Sequence, residues 1–319
     1  MSKNYTSRME KRHQKKKKAN GPKKVWWKKL LLGFCIVFAL VVVGGGIAVG
    51  AMIYDAPELK ADDLRMPQST RIYDEDGNQI DTLFHEENRI NVSIDEVPDV
   101  MKAAIISIED KRFYDHHGID WRRLFGAALS NIKNGWGSEG GSTITQQVIK
   151  RTILTPEKTL KRKVQEAWLA LKLERNYSKD EILELYLNNV YFGHGAYGIK
   201  TASVTYFDKE DLSELTISQA ALLAGLPNSP SAMDPFKHPE RAEERRNVVL
   251  SSMVDNGFIT KEQEAKAKNE QVAEIVLEEE KKQENDNPYN AYVDAVYDQL
   301  VNEENIVSEE EFFQGGLEI

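Results

Sequence analysis

From Leu30 to Ile53 the chain runs for 24 residues without a charged side chain. About 20 apolar residues suffice to cross the hydrocarbon core of a bilayer. Gly44-Gly45-Gly46 would weaken a helix in water but is tolerated in lipid, where no solvent competes for the backbone hydrogen bonds. Trp26 and Trp27 stand at one edge of the run, where indoles favour the headgroup level. The preceding residues 1–29 hold 12 Lys and Arg against a single acid, Glu10. A cationic flank of this kind stays on the cytoplasmic side, so the chain from Tyr54 onward is expected to lie outside the cell. Two rival readings fit less well. A cleaved signal peptide calls for a shorter apolar region, although Ala48-Val49-Gly50 before Ala51 makes a passable cleavage site. A nucleic-acid-binding tail accounts for the basic head but not for the apolar run beside it, and no nucleic-acid partner is expected.

Beyond residue 29 the balance inverts. That part holds 30 of the chain's 42 basic residues and 50 of its 51 acids, a net charge of −20 hidden inside the overall −9. The one cysteine, Cys35, lies within the apolar run, so the exported part has no thiol with which to form a disulfide. This suits an exterior domain large enough to stand on its own core.

Five segments follow: a basic tail over 1–29, a signal-anchor over 30–53, a linker with a short β region over 54–97, a helical catalytic domain over 98–271 and a second linker over 272–319. Within the first linker, Arg71-Ile72-Tyr73 and Gln79 to Leu83 flank an Asp76-Gly77 step, which predicts a β-hairpin. Arg89 to Val92 is a candidate third strand. From Pro98 the apolar period becomes helical, predicting helices over 100–108, 119–132, 143–153, 159–177 and 182–190, with later ones over 213–225, 239–256 and 261–271. Ser142 or Thr143, Ser178 and Thr260 are the expected N-caps. The fold class is therefore mainly α with a short N-terminal β portion. No internal repeat and no cage of Cys and His is present.

Three short runs carry the chemistry. Glu109-Asp110-Lys111-Arg112-Phe113-Tyr114-Asp115-His116-His117-Gly118 begins where a buried helix ends, which sets the Glu109 carboxylate at the edge of a low-dielectric wall, a setting that suits a general base. A lone acid there would more often pair with Lys111 or Arg112. Gly140-Gly141-Ser142-Thr143-Ile144-Thr145-Gln146-Gln147 presents open backbone N–H groups at a helix start, friendly to an anion, with Lys150 one turn further along. By itself it is also an ordinary well-capped helix. In Arg162-Lys163-Val164-Gln165-Glu166, the i,i+3 and i,i+4 spacings put two cations and a carboxylate on one face. Such a set is commonly a surface salt bridge worth a few tenths of a kcal/mol. Taken together, two acids, several cations and a cluster of amide and hydroxyl donors are the parts needed to move a sugar off a phosphate.

The order and spacing of these runs closely resemble the peptidoglycan glycosyltransferase domain of class A penicillin-binding proteins (glycosyltransferase family 51), from about Ala56 to Ile319. The resemblance implies a lysozyme-like head with a small membrane-proximal jaw. It also implies an enzyme that polymerises lipid II into β-1,4-linked glycan strands with inversion, releasing undecaprenyl pyrophosphate, for cell wall synthesis and cell shape. Glu109 and Glu166 would be catalytic. Asp110, Phe113, His116, Ser142, Thr143, Gln146, Gln147, Lys150, Arg162 and Lys163 would bind substrate. Glu166 would either ligate a divalent cation, Mg²⁺ or Mn²⁺, or help the departing phosphate. His116 fits better as an organiser of its loop than as a metal ligand. Partners would be lipid II, the lipid-linked glycan, the plasma membrane and division or elongation proteins.

Further matching stretches are Ile182 to Asn188, Ala224 to Pro230 and Glu244 to Asn247, all assigned to architecture. The match has one gap: many relatives carry an arginine seventeen residues after the glutamate, where this chain has Gly126. Arg122 or Arg123 could reach the same phosphate. A glycan-cleaving enzyme is the nearest rival, but it has no need of Lys150, Arg162 and Lys163 together. A non-catalytic scaffold has no need of intact Glu109 and Glu166. Tyr292 to Leu300 and Phe312 to Ile319 look like a connector into a transpeptidase domain. No Lys-Thr-Gly occurs, and the one Ser-x-x-Lys, Ser130 to Lys133, falls inside the glycosyltransferase match. A truncated enzyme without transpeptidase activity is expected.

Overall fold

The computed structural model describes residues 23–319 apart from 65–66, 78, 84–87, 135–139, 156, 158, 278–289 and 305. The chain divides into two compact units, Met1–Ala56 and Pro57–Ile319.

In the first unit, α1 (Lys23–Tyr54) is a single unbroken helix. Its Trp26–Tyr54 portion has a mean hydropathy of 2.7 and is long and apolar enough to cross a membrane. The helix continues through Gly44-Gly45-Gly46, as expected of a sequence suited to lipid.

The second unit opens on the expected hairpin. Strands β1 (Thr70–Tyr73) and β2 (Gln79–Leu83) pair antiparallel, and Gly77 takes the positive φ of the turn. The sequence did not foretell what covers the other edge of β1. Residues 315–319 run parallel to it, with Arg71 N–H donating to the Leu317 carbonyl at 2.8 Å and Ile319 N–H to the Arg71 carbonyl at 3.0 Å. The second linker is therefore, at its far end, part of a small sheet. A second sheet joins β3 (Asn88–Arg89) to β5 (Ala196–Tyr197), which pairs in turn with β4 (Tyr191–Gly193).

Helices build the rest. α2 (Asp99–Glu109) is buried along Met101, Ala104 and Ile105 and packs against α8 (Ile217–Gly225) and α9 (Pro239–Asp255). α8 reads Ile-Ser-Gln-Ala-Ala-Leu-Leu-Ala-Gly, and everything after Ile217 is buried, so it is the central rod of the core. α4 (Ile144–Thr152) packs against α5 (Leu160–Asn176) and α6 (Lys179–Asn189). α3 (Trp121–Asn134), α7 (Ile199–Phe207) and α10 (Lys261–Lys268) belong to the same unit, and α7 was missed in the sequence.

The predicted caps form. Thr143, Ser178 and Thr260 each accept the N3 backbone N–H while the N3 side chain returns to the cap. Each such box satisfies two orphan donors and fixes where its helix begins. The later motifs brace this frame. Asn188 exchanges hydrogen bonds with the Val92 backbone at 2.9 and 3.0 Å, and Glu184 accepts from Ile94 N–H at 2.7 Å. Arg246 is fully buried, donating to Ser218 Oγ at 3.1 Å and to the Glu270 carbonyl.

Candidate active site

Glu109 is the last residue of α2, where the buried face of that helix runs out. Its carboxylate is half-buried, and Gln147 Nε2 of α4 donates to its Oε2 at 2.7 Å. The bland pairing with Arg112 does not occur. Arg112 instead forms a forked bond to Asp120, at 2.9 Å from Nε and 2.6 Å from Nη2. Burial alone would raise the Asp120 carboxyl, but hydrogen bonds from Arg112 and the Arg123 N–H hold it below its ordinary 3.8. Glu109 thus keeps a carboxylate oxygen on an uncharged amide donor, a usable arrangement for a base.

Arg123 does not reach outward for a phosphate. Its guanidinium donates to the Glu109 carbonyl and, through Nε, to the Gly140 carbonyl at 3.1 Å. It therefore clamps the end of α2 to the start of the glycine-rich run. Gly126 is exposed, and a side chain there would meet nothing within 4 Å.

Residues 142–147 connect the two carboxylates. From one end of this segment Gln147 holds Glu109; from the other, Ser142 Oγ accepts from Lys163 Nζ at 2.8 Å. Lys163 also pairs with Glu166, whose second oxygen lies 3.4 Å from Arg162 Nη1. The Glu166 side chain is 2% exposed, so this is no surface salt bridge. A buried carboxylate must be paired, and here α5 supplies both cations one turn away. Lys150 adds to the same field. Partial burial, then Arg151, lowers its ammonium below 10.5; Arg162 and Lys163 push the same way and Glu166 opposes them. This crowding of cations suits an anionic group rather than a neutral glycan alone.

Several residues read as substrate-binding lie beneath the surface. Asp110, Phe113, His116, Thr143 and Gln146 are all buried. Asp110 Oδ2 lies 2.9 Å from His116 Nε2 and accepts from Ile144 N–H at 3.0 Å. Phe113 packs edge-on to Tyr114 and His116 and under the Lys179 ammonium, 4.5 Å from its ring centre. Thr143 Oγ1 donates to the Gly118 carbonyl at 2.7 Å, and Gln146 closes the α4 capping box. Burial and internal hydrogen bonds suit these side chains to shaping the site, although Asp110 Oδ1 and His116 Nδ1 keep no hydrogen-bond partner. Ser142, Gln147, Lys150, Arg162 and Lys163, with Glu109, are not fully buried. Burial and a hydrogen bond to Asp180 push the Tyr114 phenol up to about 12, so it stays a neutral rim group at working pH.

Among the described residues no three His, Cys, Asp or Glu side chains converge as a metal cage. Glu166 is a single carboxylate already in contact with two cations.

The chain matches the family model described as Transglycosylase over residues 76–254. It is 52% identical over 267 residues to penicillin-binding protein 1A/1B of Bacillus subtilis (strain 168), covering 83% of this chain and 29% of that protein. It is 43% identical over 227 residues to penicillin-binding protein 1A of Escherichia coli (strain K12), covering 70% and 26%. A crystal structure of penicillin-binding protein 1A from Haemophilus influenzae aligns with a TM-score of 0.44 at 27% identity, over 80% of this chain and 26% of that one. The chain thus spans 29% and 26% of the lengths of the two curated relatives named here. The matched span of 76–254 encloses both carboxylates and every element that positions them, and the chain belongs to the transglycosylase family.

Proposed function

We propose that this chain is a membrane-anchored peptidoglycan glycosyltransferase that extends a glycan strand from lipid II. The observation that carries this is the segment 142–147, which reaches an amide-held acid at one end and a buried carboxylate ringed by cations at the other. A polymerase needs that polarity: a base where a hydroxyl loses its proton, and positive charge where a leaving pyrophosphate gathers negative charge.

In this reading Glu109 takes the proton from the 4-hydroxyl of the acceptor's N-acetylglucosamine. The freed oxygen attacks the donor's anomeric carbon on the face opposite the pyrophosphate. The new C–O bond is β-1,4, the anomeric C–O bond to phosphate breaks, and the electron pair leaves with undecaprenyl pyrophosphate. Lys163, Arg162 and Lys150 stabilise that anion, and Glu166 holds the first two in place. Gln147 orients Glu109 through its amide without neutralising it.

A divalent cation, Mg²⁺ or Mn²⁺, fits this site only as a companion of the substrate. Glu166 would be the protein carboxylate that holds it, a hard oxygen donor of the kind such cations take. When bound it would supply further positive charge to the leaving group. α1 would tether the head to the plasma membrane with residues 1–29 in the cytoplasm and the catalytic unit outside, where division or elongation proteins are its expected company.

Glu109→Gln tests the reading, because the amide keeps the shape but cannot take a proton. Lipid II polymerisation should fall by about 10²–10⁴-fold, while the far-UV circular dichroism and donor binding stay near wild type. Substantial chain growth from a folded variant would sink the base assignment.

A further inference from the structure

Inside the fold lies a buried charged junction to which the transfer chemistry assigns no role. Glu174 stands near the end of α5 with its side chain 4% exposed. Its Oε1 accepts from Thr145 Oγ1 at 2.6 Å and from Lys179 Nζ at 2.7 Å. His116 Nδ1 faces the same oxygen at 3.8 Å and makes no hydrogen bond. The other ring nitrogen meets Asp110, which also accepts from the first backbone N–H of α4. One imidazole therefore lies between two buried carboxylates, where the loop after α2 meets α4, α5 and α6.

Stability alone is a poor reason to place an acid there. Burying a carboxylate costs several kcal/mol before its partners repay it, and apolar packing of the same volume often does as well. The partners indicate a different use. Thr145 lies two residues before Gln147, whose amide holds Glu109. Asp110 directly follows Glu109, and His116, bonded to Asp110, stands 3.8 Å from Glu174. Glu174 thus bonds to the helix that carries Gln147 and faces the ring bonded to the residue directly after Glu109.

We propose that Glu174 is a positioning residue for the transfer reaction: its carboxylate fixes α4 and the His116–Asp110 pair relative to each other, and so keeps Glu109 seated on the Gln147 amide. Lys179 balances the charge and ties α6 to the same point. This rests on Glu109 being the base.

Two variants separate charge from shape. Glu174→Gln keeps the outline and an oxygen for Thr145 but removes the charge. Glu174→Asp keeps the charge one methylene further back, within reach of the flexible Lys179 stem. Steady-state lipid II polymerisation is measured for both on the full chain in detergent, with rates divided by the folded fraction from circular dichroism at assay temperature. Glu174→Gln should lower kcat about tenfold or more with KM within about twofold, since misplacing a reacting group costs rate rather than affinity. Glu174→Asp should recover most of that loss. An unchanged kcat in the Gln variant, a rise in KM alone, or an Asp variant no better than Gln overturns the proposal. Should Glu174→Gln fail to fold, Lys179→Met takes its place: it should show the same kcat-selective loss, and an unaltered kcat there overturns the proposal equally. Glu109→Gln run alongside keeps the two ideas apart. Activity in that variant defeats the base assignment, whereas its inactivity beside a wild-type Glu174→Gln defeats only the positioning role.

Discussion

Gly118→Ala tests whether the loop behind Glu109 is held by contact with α5 or merely lies near it. Gly118 has φ +81°, and a Cβ added there would stand 2.8 Å from both the carbonyl carbon and oxygen of Ala170, in the backbone of α5. Left-handed backbone costs an L-residue about 1–2 kcal/mol. Forcing a methyl into a filled space adds about 1–3 kcal/mol, because neither backbone can step aside as a flexible side chain would. The sum is about 2–5 kcal/mol, which for a domain of this size lowers Tm by on the order of 10 °C. Gly257 supplies the control, with φ +75° and nothing within 4 Å of a Cβ. Gly257→Ala bears only the conformational cost of about 1–2 kcal/mol, a shift of a few degrees. Both variants are melted by differential scanning calorimetry and unfolded in urea, and the gap between them reports the overlap with Ala170. A further loss is expected in Gly118→Ala, since the Gly118 carbonyl that receives Thr143 Oγ1 must move. Equal shifts in the two variants would show that the close approach is not felt, and the loop would have to be held by its hydrogen bonds alone.

Three other outcomes follow from the site and its surroundings. Lys163→Ala and Arg162→Ala should each lower kcat by removing charge opposite the leaving group, by about 10²-fold if they act as other preorganised electrostatic groups do; a change confined to thermal stability would restore the simple salt-bridge reading. Removing residues 1–54 should give a more soluble protein that acts poorly on membrane-embedded lipid II, although α3 still exposes Trp121, Leu124 and Phe125 for interfacial contact; equal activity on vesicles with and without those residues would rule the tether out. Asp120 has a lowered folded-state value, so its stabilising contribution is present above pH 3.8 and is lost as pH falls through that lower value; acid unfolding of Asp120→Asn should be flatter below about pH 4 than that of wild type, and parallel curves would show that the Arg112 fork contributes nothing.

The parts of this molecule that were legible in sequence are those decided within a few residues. Thr143, Ser178 and Thr260 cap helices because a Gln or Glu stands three positions on, and the hairpin forms about an Asp-Gly step. The i,i+3 and i,i+4 spacing put Lys163, Arg162 and Glu166 together, as a helix must. What stayed hidden depends on partners far along the chain. Nothing near Arg123 says that it will clamp the Glu109 and Gly140 carbonyls rather than face solvent. Glu174 reads as one more charged position on a polar helix until α4 and α6 close over it. Asp110 and His116 were readable as a motif, but a motif does not say which of its members turn inward. The small far-end sheet was invisible for the same reason, its halves being about as far apart as the body allows.

That last pairing bears on how the protein is made. β1 sits between β2 and residues 315–319, and Thr70 Oγ1 accepts a hydrogen bond from Leu317 N–H across 247 positions of sequence. At a synthesis rate of about 5–20 residues per second, roughly 10–50 s separate the emergence of the two partners. Through that interval β1 lacks its partner on that side, and an unpaired strand edge is where strands recruit the wrong neighbour. Arg71, on that edge, carries the cation that later pairs with Glu318. A charged side chain on an open strand edge discourages a stray strand, so Arg71 is suited to guard the edge that it latches in the folded protein.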